Sequence, residues 1–158
     1  MQRTESMGYL VNHLARLLAN ALRARTAPDG VVPGQFAQLL ALYELDGVTQ
    51  TQLCEQVSID QSTMAHTLKR MERDGLVRRL PDPLDGRRAI IWLTDRARQL
   101  EDTLTGSARE VNALTVSGFT DDEVSLCYHL VARMIGNLEA AATPDRARRR
   151  AQQGGRTC

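Results

Sequence analysis

Between Asp60 and Arg88 the chain sets out side chains suited to hydrogen-bonding the edges of base pairs. Gln61, Ser62 and Thr63 come first, His66, Thr67 and Arg70 follow at helical spacing, and Arg87 and Arg88 lie further on. Short amides and hydroxyls at the head of a helix can exchange hydrogen bonds with bases in the major groove. An arginine on a projecting hairpin can enter a narrow minor groove, where the potential is most negative. The chemistry these types offer is recognition of duplex DNA.

The elements that must position them are legible. Asp60 is an N-cap, its carboxylate able to accept the orphan N–H groups of a first helical turn. Met64, Leu68 and Met71 recur at i, i+4, i+7 and form a stripe opposite the polar face. Gly75 is the expected stop. Residues 76–80 read as a strand, 81–86 (PDPLDG) as turn chemistry, and 89–93 (AIIWL) as a second strand. Asp85 could hold Arg87 extended through a charge-assisted pair. Upstream, 49–57 reads as a short helix capped by Thr49, with Leu53, Cys54 and Val57 inward and Ser58-Ile59 as a tight turn. A short helix, a turn and a polar helix make a helix-turn-helix, and the hairpin adds a wing. An ordinary amphipathic helix followed by a solvated turn is the plainer reading; the hairpin directly after the helix favours the first.

The run Asp82-Pro83-Leu84-Asp85-Gly86-Arg87-Arg88, followed by Leu93-Thr94, resembles the wing of the MarR family of bacterial transcriptional regulators. Gln52-Leu53 and residues 71–77 (MERDGLV) also match that family's pattern, and the resemblance covers residues 7–141. Some members carry an arginine at the position of Leu84 or Gly86. Here the tip is apolar and flexible, which makes Arg87 the groove-inserting candidate and Arg88 the second.

Of the 158 residues, 42% are hydrophobic and 25% charged, as in an ordinary soluble domain. The net charge is only +1, so a DNA surface must come from clustering, and Lys69, Arg70, Arg73, Arg78, Arg79, Arg87 and Arg88 do cluster. The 19 arginines against one lysine fit a GC-rich genome better than selection for bidentate contacts. With neither a membrane-length apolar run nor a secretory leader, the expected location is the bacterial cytoplasm, on the nucleoid when bound to DNA. Cys54, Cys127 and Cys158 fit free thiols in a reducing compartment. His13, His66 and His129 lie far apart, without metal-ligand spacing. No nucleophile–base pair, phosphate loop or carboxylate pair suggests an enzyme, and no cofactor or metal is expected.

Residues 7–25 read as a long helix with Leu10, Leu14, Leu17, Leu18 and Leu22 as its apolar stripe, and 33–45 as a second, with Phe36, Leu39, Leu40 and Tyr43 inward. Asp95 to about Thr115 reads as one helix capped by Thr94, buried through Leu100, Leu104, Val111 and Leu114. Thr120-Asp121-Asp122-Glu123 is a capping box opening a helix to about Ala141, with Leu126, Leu130, Met134, Ile135 and Leu138 on its inner face.

The expected architecture is mostly α with a small β-hairpin wing. A winged helix-turn-helix spans 33–94, a helical dimerisation region spans 1–32 and 95–143, and 144–158 is a disordered basic tail. A two-fold homodimer would set two recognition helices roughly 34 Å apart and read a palindromic operator. The resemblance implies the same dimer. It also implies control by a small-molecule effector, commonly an aromatic acid or phenol, between the dimerisation helices and the winged module. Tyr9, His13 and Arg16, at i, i+4, i+7, and Tyr43 are the candidates to hold one. The plainer alternative makes the tyrosines core residues, His13 an interface histidine and Arg16 the partner of an acid. Peroxide-sensing members use a cysteine near the start of the first helix, where this chain has none. The function expected is a repressor released by its effector; the alternative is a winged-helix protein-interaction module without specific DNA binding.

Overall fold

The computed structural model describes residues 2–86 and 88–154, and for 143–154 the backbone alone. Arg87 and Cys158 lie outside the described residues. The elements run α1 (Met7–Thr26), α2 (Pro33–Glu44), β1 (Val48–Thr49), α3 (Gln50–Val57), α4 (Gln61–Arg73), β2 (Val77–Pro81), β3 (Ala89–Leu93), α5 (Asp95–Gln99), α6 (Glu101–Thr115) and α7 (Asp121–Gly154). The fold is mostly α with a small antiparallel sheet, as expected. Residues 1–115 form one compact unit and 116–158 a second.

Within the first unit the caps appear where the sequence puts them. Thr49, Asp60 and Thr94 accept from the backbone N–H groups of Gln52, Thr63 and Ala97. At the far end of α4, Leu76 N–H donates to Met71 C=O at 2.8 Å and Gly75 N–H to Glu72 C=O at 3.0 Å. With Gly75 at φ +68° this is a Schellman stop. Ser58, between α3 and α4, is left-handed at φ 54°, ψ 40° and carries the tight turn.

The sheet holds a strand the sequence analysis did not anticipate. β1 pairs with β3 (Val48 opposite Ile91), giving the order β1-β3-β2. β2 and β3 pair from Val77 opposite Leu93 to Pro81 opposite Ala89. Ile91 and Leu93 point into the core while Trp92 lies on the other face, the alternation a pleated strand imposes. Gly47, at φ +74°, lets the chain pass beneath Trp92; a Cβ there would lie 2.5 Å from the indole.

The core joins Leu39 and Leu42 of α2, Leu53 of α3, Met64, Leu68 and Met71 of α4, and Leu76 and Ile91 of the hairpin. Each such side chain contributes about 1.5–3 kcal/mol on burial. The core does not stop at 94: Ala97 and Leu104 belong to it and Leu22 of α1 packs on it. Arg25 of α1 also pairs with Glu110 of α6 at 3.2 Å.

Several expectations are corrected. The helix expected from Asp95 is interrupted at Leu100 into α5 and α6. Leu114, expected inside, is 62% exposed, as are Leu10, Leu14 and Leu17 of α1 to a lesser degree.

In the second unit, Glu123 accepts from Thr120 N–H at 2.8 Å while Thr120 accepts from Glu123 N–H at 3.3 Å, which is the expected capping box. The helix continues to Gly154, past the expected end near Ala141. Of the expected tail, 144–158, only this backbone to Gly154 is described. Leu126, Leu130, Met134, Ile135 and Leu138, expected as an inner face, are all exposed. Among the described residues no helix is long and apolar enough to cross a membrane.

Candidate nucleic-acid interface

The head of α4 is built by Asp60. Its carboxylate accepts from Thr63 N–H at 2.9 Å and from the Thr63 hydroxyl at 2.6 Å. These bonds hold the Asp60 carboxyl below its ordinary pKa and commit the Thr63 hydrogen, leaving its oxygen as an acceptor. Gln61, Ser62, Thr63, His66 and Arg70 are exposed along one side of the helix. A groove of about 660 Å³ runs there, lined by Thr63, His66, Thr67, Lys69, Arg70 and Arg73.

Thr67 departs from expectation. It is only 4% exposed and forms part of the groove floor. Three residues after Met64 and four before Met71, it flanks the buried stripe rather than the outward face.

The basic cluster is partly neutralised. Arg73 pairs with Asp74 at 2.9 Å, Arg79 with Glu72 at 3.0 Å and Arg88 with Asp85 at 3.4 Å. The pairing expected between Asp85 and Arg87 involves a residue outside those described. At the wing, Asp82 N–H donates to Arg88 C=O at 3.0 Å, and Leu84 N–H donates to the Asp82 carboxylate at 2.8 Å. Leu84 itself is 97% exposed.

The turn end of the wing, the head of α3 and the head of α4 adjoin one another. A second groove, of about 410 Å³, is lined by Thr49 to Gln52 together with Arg88 and Ala89. Gln50 in turn donates to the Gln61 side chain at 2.9 Å, and Gln61 donates to Thr51 at 3.3 Å. Sequence reasoning missed Gln50 and Thr51, although two polar residues directly after a cap, facing a second helix head, were a signal.

The foot of α4 is clamped. Buried Gln35 of α2 donates to Asp74 at 2.7 Å, Arg96 donates to the carbonyls of Asp74 and Asp29, and the Thr94 hydroxyl donates to Gly75 C=O at 2.7 Å. The bonds from Arg73 and Gln35 hold the Asp74 carboxyl below its usual range.

The effector candidates are not drawn into one cluster. Tyr9 and His13 are neighbours, ring centroids 6.0 Å apart, with the Arg3 guanidinium 5.8 Å over Tyr9. Arg16 is exposed further along α1. Tyr43 donates its hydroxyl to Ala97 C=O at 2.8 Å; burial, and then Glu101, push its pKa up to about 12. Cys54 is buried in α3, where burial and then Asp60 and Glu55 raise its pKa, so it stays a thiol.

Residues 29–88 match the model of the MarR family. The HTH-type transcriptional regulator TtmR of Methylorubrum extorquens is 31% identical over 134 residues, covering 85% of this chain and 68% of that protein. The PcaV transcriptional regulator from Streptomyces coelicolor, solved in complex with its natural ligand, superposes with a TM-score of 0.75 at 26% identity, over 86% of this chain and 96% of that one. The transcriptional repressor CouR, solved bound to a 23-mer DNA duplex, gives a TM-score of 0.70 at 25% identity, over 84% and 94%. With its winged fold and these relatives, the chain belongs to the MarR family of transcriptional regulators.

Proposed function

We propose that this regulator is a repressor that binds a palindromic operator as a homodimer and is released by a small aromatic effector. The observation that carries the DNA contact is the adjoining surface of α4, the head of α3 and the turn end of the wing. In this reading Gln61, Ser62, Thr63, His66 and Arg70 face the major groove, with Thr67 closing the groove floor behind them. Arg88 lies at the turn end of the wing, and Arg87 is assigned to the minor groove. The solved complex of CouR with a 23-mer DNA duplex supports DNA binding by a chain of this fold.

Dimerisation is assigned to 1–32 and 95–143. Exposed leucines on α1, and separately Leu126, Val131, Met134, Ile135 and Leu138 on α7, are apolar surface of the kind an obligate partner covers. The effector is assigned to the α1 residues Tyr9, His13 and Arg16; Tyr43 is not grouped with them, and its hydroxyl already donates to Ala97. Tyr9 and His13 offer ring surface to an aromatic acid and Arg16 a charge for its carboxylate, and the ligand-bound PcaV supports an effector of some kind. The reading implies a cytoplasmic bacterial protein, nucleoid-associated when bound.

The test is fluorescence anisotropy on the DNA flanking this protein's own gene, with and without a panel of aromatic acids, over a range of salt. Tight, palindrome-dependent binding that weakens steeply with salt and is relieved by one compound is the expected result. No specific binding at moderate salt would replace this reading with a winged protein-interaction module.

A further inference from the structure

Gln61 is held by the helix next to it. Nε2 of Gln50 donates both to Gln61 Oε1, at 2.9 Å, and to the Gln61 backbone carbonyl, at 3.1 Å. Nε2 of Gln61 donates to Thr51 Oγ1 at 3.3 Å.

A backbone carbonyl can only accept. Its bond from Gln50 therefore fixes which end of the Gln50 amide faces α4. With Gln50 presenting N–H groups, the Gln61 amide must turn its oxygen toward them, because the reversed amide would set donor against donor. The orientation of Gln61 thus traces back to an acceptor that cannot be reversed.

A glutamine amide has two lone pairs and two N–H groups. One of each is engaged here, leaving one acceptor and one donor. Adenine presents an acceptor, N7, beside a donor, the N6 amino group; guanine presents two acceptors on the same edge. An amide free to turn could put its N–H groups toward either base, whereas a fixed one keeps its oxygen to meet the adenine amino group. We propose that Gln61 reads an adenine in the major groove and that Gln50 is the positioning residue that makes this reading selective. This deepens the DNA-binding reading above and rests on it.

The experiment starts by selecting duplexes from a random pool with the wild-type protein. Each enriched adenine is then replaced by 7-deazaadenine, which lacks the N7 acceptor, and separately by guanine with its paired base. For the wild type, one adenine per half-site should show about a tenfold loss on either change. Gln61→Ala should abolish the sensitivity at that adenine alone. Gln50→Leu, which cannot donate, should collapse the adenine-over-guanine preference at the same position, over and above any loss of affinity common to all duplexes. A purely structural role for Gln50 would weaken all duplexes equally and leave the preference intact, which overturns the proposal. Unchanged 7-deazaadenine sensitivity in Gln61→Ala also overturns it, with DNA binding standing. If no duplex is enriched, the DNA-binding reading falls and takes this contact with it.

Discussion

The side-chain amide of Gln35, fully buried at the head of α2, donates to Oδ2 of Asp74 at the foot of α4 over 2.7 Å. Removing the carboxylate leaves a buried donor without its acceptor. Asp74→Ala should therefore destabilise the fold by about 1–3 kcal/mol, read as a lower urea midpoint with an unchanged slope.

The same contact gives a pH dependence. The folded Asp74 carboxyl, bonded by Arg73 and Gln35, titrates below the ordinary aspartate value, so its contribution is present above that ordinary value and is lost as pH falls through the lower, folded one. Between pH 5 and pH 3, wild-type stability should fall more steeply than that of Asp74→Asn. Parallel curves would show that Asp74 is not preferentially ionised in the fold.

Two glycines separate backbone strain from steric clash. Gly75→Ala meets no atom within 4 Å and carries only the left-handed penalty, about 1–2 kcal/mol. Gly47→Ala adds a collision with the Trp92 ring at 2.5 Å and should lose about 1–3 kcal/mol more. Denaturant unfolding of the pair, with Trp92 fluorescence reporting on the second, checks the order.

Ser58 pays for the turn between α3 and α4 with a left-handed backbone at φ 54°. Ser58→Gly should raise stability by about 0.5–1 kcal/mol. A loss instead would mean that the serine side chain stabilises the turn by more than its backbone strain.

Leu14 is exposed in the middle of α1. Under the dimer reading, Leu14→Glu should raise the dissociation constant for self-association at least about tenfold, since burying an unpaired carboxylate is costly. Sedimentation equilibrium measures this directly; an unchanged constant would remove α1 from the interface.

Much of this fold could be read before it was seen, wherever local physics decides. Caps at Thr49, Asp60, Thr94 and Thr120 depend on side chains within three residues of their partners, and each forms. The stripe of Met64, Leu68 and Met71 is set by helical period alone. What escaped depends on distant partners. Val48 and Thr49 are too short a run to announce a strand and become one only because Ile90 and Ile91 lie alongside. Thr67 looks polar in sequence, yet its neighbours on the core side enclose it. At the interface the outward residues of α4 were visible, while Gln50 and Thr51 acquire meaning only when the two helix heads meet. The apolar residues of α7 have the right period, but period cannot say what will cover them.

The two ends of α4 are restrained in different ways. At the foot, a buried amide, a guanidinium bridging two carbonyls and the Thr94 hydroxyl hold the backbone from three directions. At the head, the Asp60 cap and the side chains of Gln50 and Thr51 hold the first turn. Between the ends, Met64, Leu68 and Met71 seat the helix in the core. The helix is a beam supported along its length, so the depth at which its base-reading end sits is set by the body of the domain as far as the foot, some twenty ångströms away at about 1.5 Å per residue along the helix.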